Sequence, residues 1–269
     1  MLISVVVTTY NRPRALDRVL DALNEQRDRC YEVIVGDDGS REDTRELVNA
    51  WKRKYSVRLE HVWQEDLGFR AARARNLAAA AARGEYVVFL DGDCVPRMDW
   101  LCQHRSLAER GWMVAGNRVL VSKDFTRQIE DESIKLQRLS YVECVRLARA
   151  GALNRAFPLI TLPFHPFRKA GAGKWQKIRS CNLGVWREDF ERVNGFDELF
   201  TGWGYEDSDF AVRMLNAGIH RKLGAFATAV FHLFHQENDQ NRRSENYRRL
   251  MDRLHSHAIE AERGLRELA

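Results

Sequence analysis

An α/β fold with a mostly parallel central sheet and helices on both faces is predicted by three observations. β-branched apolar runs alternate with helix-period segments over the first ninety residues. Polar or acidic residues follow directly on three of those runs. A hydrophobic content of 45% over 269 residues is enough for a substantial core.

The first run, Leu2 to Thr8, reads as a strand, and Asn11 as N-cap with Pro13 behind it opens a helix bearing Leu16, Val19, Leu20 and Leu23. Tyr31 to Val35 is the second strand, and Ser40 with Asp43 three residues on reads as a weak capping box for the next helix. Val57 to Trp63 alternates as a third strand. The Ala-rich stretch from Phe69 to Arg83, closed by Gly84, predicts a helix lying close to the sheet, and Glu85 to Leu90 makes a fourth strand. Right-handed crossovers then bring Thr8-Thr-Tyr10, Asp37-Asp38 and Asp91-Gly-Asp93 to one sheet edge, with four carboxylates around one crevice.

Beyond residue 120 the alternation stops. Gln128 to Ala150 predicts one long helix, Phe157 to Trp175 an irregular stretch with three prolines, and Ser208 to Asn216 a short amphipathic helix. The segment 241–269 is expected to be a C-terminal amphipathic helix packed on its own domain, with a homodimer seam or a membrane surface as alternatives.

The 43 basic and 38 acidic residues are interspersed, so the net charge of +5 gives no strong field, and no nucleic-acid partner is expected. Arg242-Arg243 and Arg248-Arg249 read as a solvated helix face. Five cysteines without a CxxC pair argue against a disulfide framework and a zinc site, and for reduced thiols in a cytoplasmic protein. No leader and no apolar run near 18 residues is expected to direct export or span a membrane.

Two carboxylates one residue apart at a strand end, Asp91 and Asp93, suit a hard divalent ion serving a phosphate-bearing substrate, or else a simple turn. Asp37 and Asp38 suit a nucleobase or ribose, or turn formation. Arg70, Arg73 and Arg75 start a helix where anions are already favoured, and only some of them can face one site. Gly202-Trp-Gly-Tyr-Glu-Asp207 suits a sugar stacked on the Trp203 indole with a carboxylate beside it, or a loop anchored by that indole. His232 and His235 fall on opposite faces if Phe231 to Glu237 is extended, which makes one a core histidine and leaves His235 to join Asp93 on an ion.

Taken together, Thr8-Thr-Tyr-Asn-Arg12, Val35-Gly-Asp-Asp-Gly-Ser40, Gly68-Phe-Arg70, Ala74-Arg-Asn76, Asp91-Gly-Asp93, Asn194-Gly-Phe-Asp197, Gly202-Trp-Gly-Tyr-Glu-Asp207 and His235-Gln-Glu237 resemble a family 2 glycosyltransferase of the GT-A fold. The chondroitin polymerase and β-1,4-galactosyltransferase-like branches are the nearest in pattern. The resemblance implies a single catalytic domain over 1–240, with a nucleotide-sugar half to residue 120 and an acceptor half beyond. It implies Thr8, Tyr10, Asp37 or Asp38, Arg75 and Asp91 at a UDP-sugar donor. Asp93 and His235 would hold Mn²⁺ or Mg²⁺, with Asp91 at the ribose or reaching the ion through water. Trp203, Gly204 and Asn182 would meet the sugar, Asp207 would be the base and Glu206 would hold a sugar hydroxyl. The implied reaction is inverting transfer of a hexose or hexosamine-type sugar to a glycan or glycolipid hydroxyl, in the cytoplasm or at the inner face of a membrane. Cys181 departs from the small residue usual before Asn182, and with one transferase module an enzyme alternating two sugars is not expected. Two other classes compete, a nucleotidyltransferase and a catalytically silent sugar-nucleotide-binding module. The first lacks a glycine-rich loop after the first strand, and the second would tolerate loss of Asp207.

Overall fold

The computed structural model describes residues 1–162, 166–176, 178–236 and 239–268. The chain runs β1 (Ile3–Thr9), α1 (Pro13–Asn24), β2 (Tyr31–Asp37), α2 (Glu42–Lys52), β3 (Leu59–Trp63), α3 (Ala71–Ala81) and β4 (Tyr86–Asp91). It continues through β5 (Cys94–Pro96), α4 (Trp100–Leu107), β6 (Trp112–Ala115), β7 (Arg118–Leu120), α5 (Lys123–Glu132) and α6 (Tyr141–Arg149). The last elements are β8 (Asn182–Trp186), α7 (Arg187–Arg192), α8 (Glu206–Asn216), β9 (His220–Leu223), β10 (Val230–His232) and α9 (Arg243–Ser256).

A seven-stranded sheet has the order β3-β2-β1-β4-β8-β6-β9, and a three-stranded one has the order β5-β10-β7. β1 pairs parallel with both β2 and β4, while β8 is antiparallel to its two neighbours, β4 and β6. The register sets Thr9 beside Asp37 and Thr8 beside Asp91, so the three acidic or polar strand ends do converge on one edge. β1, β2 and β4 are buried almost throughout, as expected of strands covered on both faces. Val5, Val7, Val33, Val35, Val88 and Leu90 face one helical layer together with Leu16, Val19 and Leu20 of α1. Val6, Ile34, Val87 and Phe89 face the other, with the alanines of α3 and with Phe190, Phe196 and Phe210.

Several local expectations are corrected. Asn11 is not the N-cap of α1: it sits at φ 48°, its amide donates to Ser40 Oγ at 2.8 Å and its Oδ1 accepts from the Arg41 amide at 3.0 Å. Ser40 is therefore held by the β1 loop, and α2 starts at Glu42 behind Arg41 with no side-chain cap. α3 stops at Ala81, before Gly84, whose amide donates to Ser4 Oγ at 2.8 Å. The long helix over Gln128 to Ala150 is two, because Ser133 turns left-handed at φ 56° and Ser140 and Glu143 form a capping box that starts α6 afresh. α9 ends at Ser256 with His257 at φ 53°, and the tail beyond packs back on the 193–198 loop through the Ala261 amide to Val193 O and the Leu265 amide to Asn194 O, both 3.0 Å. In the irregular stretch, buried Arg168 donates to the carbonyls of Leu223, Ala225 and Leu162. Pro163 of that stretch and Glu237 of the histidine motif lie outside the described residues. No described helix is long and apolar enough to cross a membrane.

Candidate active site

A cavity of about 610 Å³ opens at the shared sheet edge, walled by strand ends on one side and by the 202–208 loop on the other. Asp91 closes β4 there. Arg75, buried in the first half of α3, points back at it, with Nη2 at 3.3 Å from Asp91 Oδ1. The same guanidinium stands 3.4 Å from Glu206 Oε1 and 3.9 Å from Asp207 Oδ1, with its Cζ 5.4 Å from the centre of the Phe196 ring. One cation thus faces three carboxylates. Burial opposes the charge on Arg75, but Asp207, Asp91 and Glu206 together hold it on. The carboxylates share too little positive charge: burial first, and then Asp207, push the Glu206 carboxyl up to about 7. Burial, against the pull of Arg75, likewise lifts Asp91 to about 6.

Asp93 forms the next corner, one turn past β4. Arg12 Nη1 bonds its Oδ2 at 2.7 Å and so holds a positive charge on this carboxylate. His232 Nε2 stands 3.5 Å from Asp93 Oδ1 and His235 Nε2 stands 3.6 Å from Oδ2, longer than an ordinary hydrogen bond. Burial drives the His232 pKa down to about 4, which keeps the ring neutral, and Arg118 Nη1 donates to its Nε2 at 3.4 Å. His235 Nδ1 lies 2.7 Å from Gln236 O, a contact in which Nδ1 carries the proton and Nε2 presents a lone pair. Two imidazole lone pairs opposite a carboxylate form a donor set that fits a divalent cation. Asp93, Cys94 and His232 likewise offer atoms within 4.8 Å of one another, but the Cys94 thiol donates to Asp93 Oδ1 at 3.7 Å and burial pushes its pKa up, so it stands as a protonated neighbour.

The condition for the two histidines to face apart, an extended run, is not met, and their ring centres lie 5.2 Å from each other. β10 ends at His232, paired with Cys94, and the Leu233 amide then donates to Asp93 O at 2.9 Å. The extended alternation stops there, which lets His235 return to the same carboxylate. His232, Arg12 and Arg118 are the site residues that sequence reasoning missed. The signal available was the ring–x–x–ring spacing beside a strand end.

At the ends of β1 and β2, Thr8, Tyr10 and Asp38 line the cavity. Asp38 accepts from the Arg70 amide at 2.8 Å and also from Gln64 Nε2, so it caps α3 as well, and burial lifts its pKa to about 6 against those bonds. Asp37 faces away: it accepts from the Ser40 amide at 2.8 Å and contacts His61 Nε2 at 2.9 Å. Gly39, at φ 96°, permits this turn, since a Cβ there would lie 2.5 Å from Asp66 Cα. Asn182, expected at the substrate, is buried behind the cavity lining instead. Its Oδ1 lies 3.2 Å from Trp100 Nε1 and 3.1 Å from His104 Nε2, while its Nδ2 donates to the carbonyls of Asn117 and Thr228. Trp203 and Gly204 do line the cavity, as do Glu206 and Asp207 at the start of α8. Asp207 Oδ1 is buried without a hydrogen-bond partner.

The chain is similar to several known proteins. Validoxylamine A glucosyltransferase of Streptomyces hygroscopicus subsp. jinggangensis (strain 5008) is 30% identical over 236 residues, covering 81% of this chain and 52% of its own. Chondroitin synthase of Escherichia coli is 29% identical over 262 residues, covering 87% and 34%. The chain thus spans about half or less of these relatives' length. The crystal structure of S. aureus TarS 1–349 in complex with UDP-GlcNAc superimposes at a TM-score of 0.64 and 15% identity, covering 99% of this chain and 69% of that one. Mannosyltransferase PcManGT from Pyrobaculum calidifontis, in complex with GDP-Man and Mn²⁺, does so at 0.55 and 23%, covering 86% and 56%. The fold is that of the GT-A glycosyltransferases. Residues 169–236 match the N-terminal domain of galactosyltransferase, and since residues 4–169 match glycosyl transferase family 2, the chain belongs to that family.

Proposed function

We propose that this protein is an inverting, metal-dependent glycosyltransferase that moves a hexose or hexosamine-type sugar from UDP to a hydroxyl of a glycan or glycolipid. The observation that carries the reading is the buried, unpartnered Asp207 Oδ1. Asp207 lines the same cavity as Asp38 and the Asp93 corner. Arg75 neutralises part of its charge from 3.9 Å but makes no hydrogen bond to it, so the carboxylate keeps acceptor capacity that an acceptor hydroxyl can fill.

The donor lies with its base and ribose toward Thr8, Tyr10 and Asp38, and with its diphosphate toward Arg12, Arg118 and the Asp93 corner. Asp93, His232 and His235 would hold a divalent ion, which would supply Lewis-acid stabilisation of the diphosphate, and a carboxylate with two imidazoles suits Mn²⁺ better than the oxygen-seeking Mg²⁺. The complexes of TarS with UDP-GlcNAc and of PcManGT with GDP-Man and Mn²⁺ support a nucleotide-sugar donor and an ion. Asp207 takes the acceptor proton as the acceptor oxygen bonds the anomeric carbon and the bond to the diphosphate oxygen breaks, which inverts that carbon. Arg75 holds Asp207 and Glu206 in place, and Glu206, protonated over part of the neutral range, can donate to or accept from a sugar hydroxyl.

The test is UDP release from a panel of UDP-sugars with Mn²⁺, preceded by a thermal-shift screen that includes GDP- and dTDP-sugars. Asp207→Asn should lower turnover by roughly 10² to 10⁴ while UDP affinity stays within about twofold of the wild type. Undiminished turnover in Asp207→Asn removes the base assignment, and stabilisation by a GDP- or dTDP-sugar alone removes the uridine one.

A further inference from the structure

The cavity has a wall that the donor does not use. Beyond Trp203 it is closed by the first turn of α9, from which Arg243 lines the same space as Asp207. Arg243 Cζ lies 5.8 Å from the centre of the Trp203 ring. Its neighbours Arg242 and Arg249 both pair with Glu245, whereas Arg243 donates only to the neutral Gln240 Oε1, at 2.9 Å, and has no ion pair among the described residues. Of the other arginines lining the cavity, Arg75 is held by three carboxylates and Arg12 by Asp93, while Arg118 bonds His232 and Arg179 the carbonyl of Ile178.

Two tyrosines complete the surface. Tyr205 lines the cavity, and its ring centre is 5.4 Å from that of Tyr247 on α9. Tyr247 is 46% exposed and Trp203 36%, so rings and guanidinium form one open ledge. Tyr205 is held at φ 71°, a left-handed conformation that disfavours any side chain. A bulky residue kept in that conformation at a cavity mouth points to work done by its ring.

The ledge is also fixed. Asn246, buried on α9, donates through Nδ2 to Thr201 O at 3.2 Å and to Gly204 O at 3.0 Å, and the Gly202 amide donates to Phe69 O at 3.0 Å. Arg243 and Tyr247 are thereby tied to the loop that carries Trp203 and leads into Asp207.

We propose that this ledge is the acceptor subsite and that it selects a sugar acceptor bearing a negative charge, a carboxylate or a phosphate. Trp203, Tyr205 and Tyr247 stack on the apolar faces of its rings, and the Arg243 fork binds the anion in bidentate fashion. The proposal rests on Asp207 being the base of glycosyl transfer, since the ledge adjoins that carboxylate.

Saturation-transfer NMR titrations on enzyme loaded with UDP and Mn²⁺ test it, with methyl β-D-glucuronide, glucose 6-phosphate and methyl β-D-glucoside as probes. At least one anionic sugar should bind about tenfold or more tightly than the glucoside at low salt, and the tighter of the two identifies carboxylate or phosphate. Arg243→Ala should erase the preference, Arg243→Lys should keep part of it, and Tyr205→Gly should weaken all three sugars. Equal binding of the three, no binding of any to the UDP-loaded enzyme, or a preference that survives Arg243→Ala overturns the proposal. Loss of UDP binding itself in the wild type would bring down the donor reading as well, and is seen separately in the loading step.

Discussion

Arg75 shows how little positive charge this site commits to its own carboxylates. Glu206 is raised because burial and Asp207 act on it together, and the sign of its effect on stability follows. A carboxyl whose folded pKa lies above its ordinary value of 4.5 keeps its proton where the unfolded chain has lost it. Its cost to the fold is absent at low pH and grows as pH rises from about 4.5 through about 7. Glu206→Gln should therefore stabilise the ligand-free protein at pH 8 by on the order of 3 kcal/mol, or about 8 °C in Tm, and by almost nothing at pH 4. His104 and His232, held neutral by burial, act in the opposite sense below pH 6.5, but they cancel in the difference between variant and wild type. Scanning calorimetry across that range checks it, and a gain that does not depend on pH would show that Glu206 is not titrating. The same variant should lose at least about tenfold in turnover if Glu206 binds a sugar hydroxyl. At this scale the sequence was legible where a motif stands at a strand or helix end, as with Asp207, Asp93 and Trp203, which do line the cavity. It was not legible where backbone turns decide which of two neighbours faces the cavity, as with Asp37 and Asp38, or where a strand ends between His232 and His235.

Among the elements, α8 depends on α9 for its setting. Arg253 of α9 is buried and donates to Asp209 Oδ1 and to Asp197 Oδ2, both at 2.8 Å, while Arg213 bonds the other oxygen of Asp209 at 2.8 Å. Asp209 lies two residues past Asp207, so this pair of arginines fixes the helix start that carries Asp207. Arg253→Ala would leave Asp197 buried without its cation and should cost about 3 to 5 kcal/mol, read as a lower urea midpoint at unchanged slope. Arg263→Ala, exposed and 3.9 Å from Glu198, is the control and should stay within about 0.5 kcal/mol. If the two variants unfold alike, the buried network is not what holds α9. Hydrophobic period revealed the first four strands and their helices because their apolar residues repeat cleanly. It ran α5 and α6 together because apolar spacing continues across a break made by backbone geometry at Ser133, although Ser140-Tyr-Val-Glu143 is itself a start signal that could have been read. Short strands such as β5, β7 and β10, of three residues each, carry too few positions to show a period at all.

For the whole molecule, the decisive feature is that two sheets meet at Asp93. β4 of the large sheet delivers Asp91 to the cavity, the chain turns at Gly92, and β5 of the small sheet begins at Cys94 beside His232 of β10. The topology thus brings a strand end near residue 91 and another near residue 232 to one carboxylate, which no local pattern could announce. Asp93 is itself part-exposed and belongs to neither core cluster, so its removal should leave the fold standing. Asp93→Ala leaves the partly buried Arg12 without its 2.7 Å partner and should cost about 1 to 3 kcal/mol, a lower Tm with the cooperative transition retained. Calorimetric titration with UDP should nevertheless show Mn²⁺-dependent affinity reduced by roughly a hundredfold, as loss of a ligand demands at least what loss of a supporting residue does. Residual UDP affinity in the variant should equal that of the wild type in EDTA, because both states keep Thr8, Tyr10 and Asp38 while lacking the ion. If Mn²⁺ still strengthens UDP binding to Asp93→Ala, the ion sits elsewhere, and the convergence of the two sheets serves only to close the cavity wall.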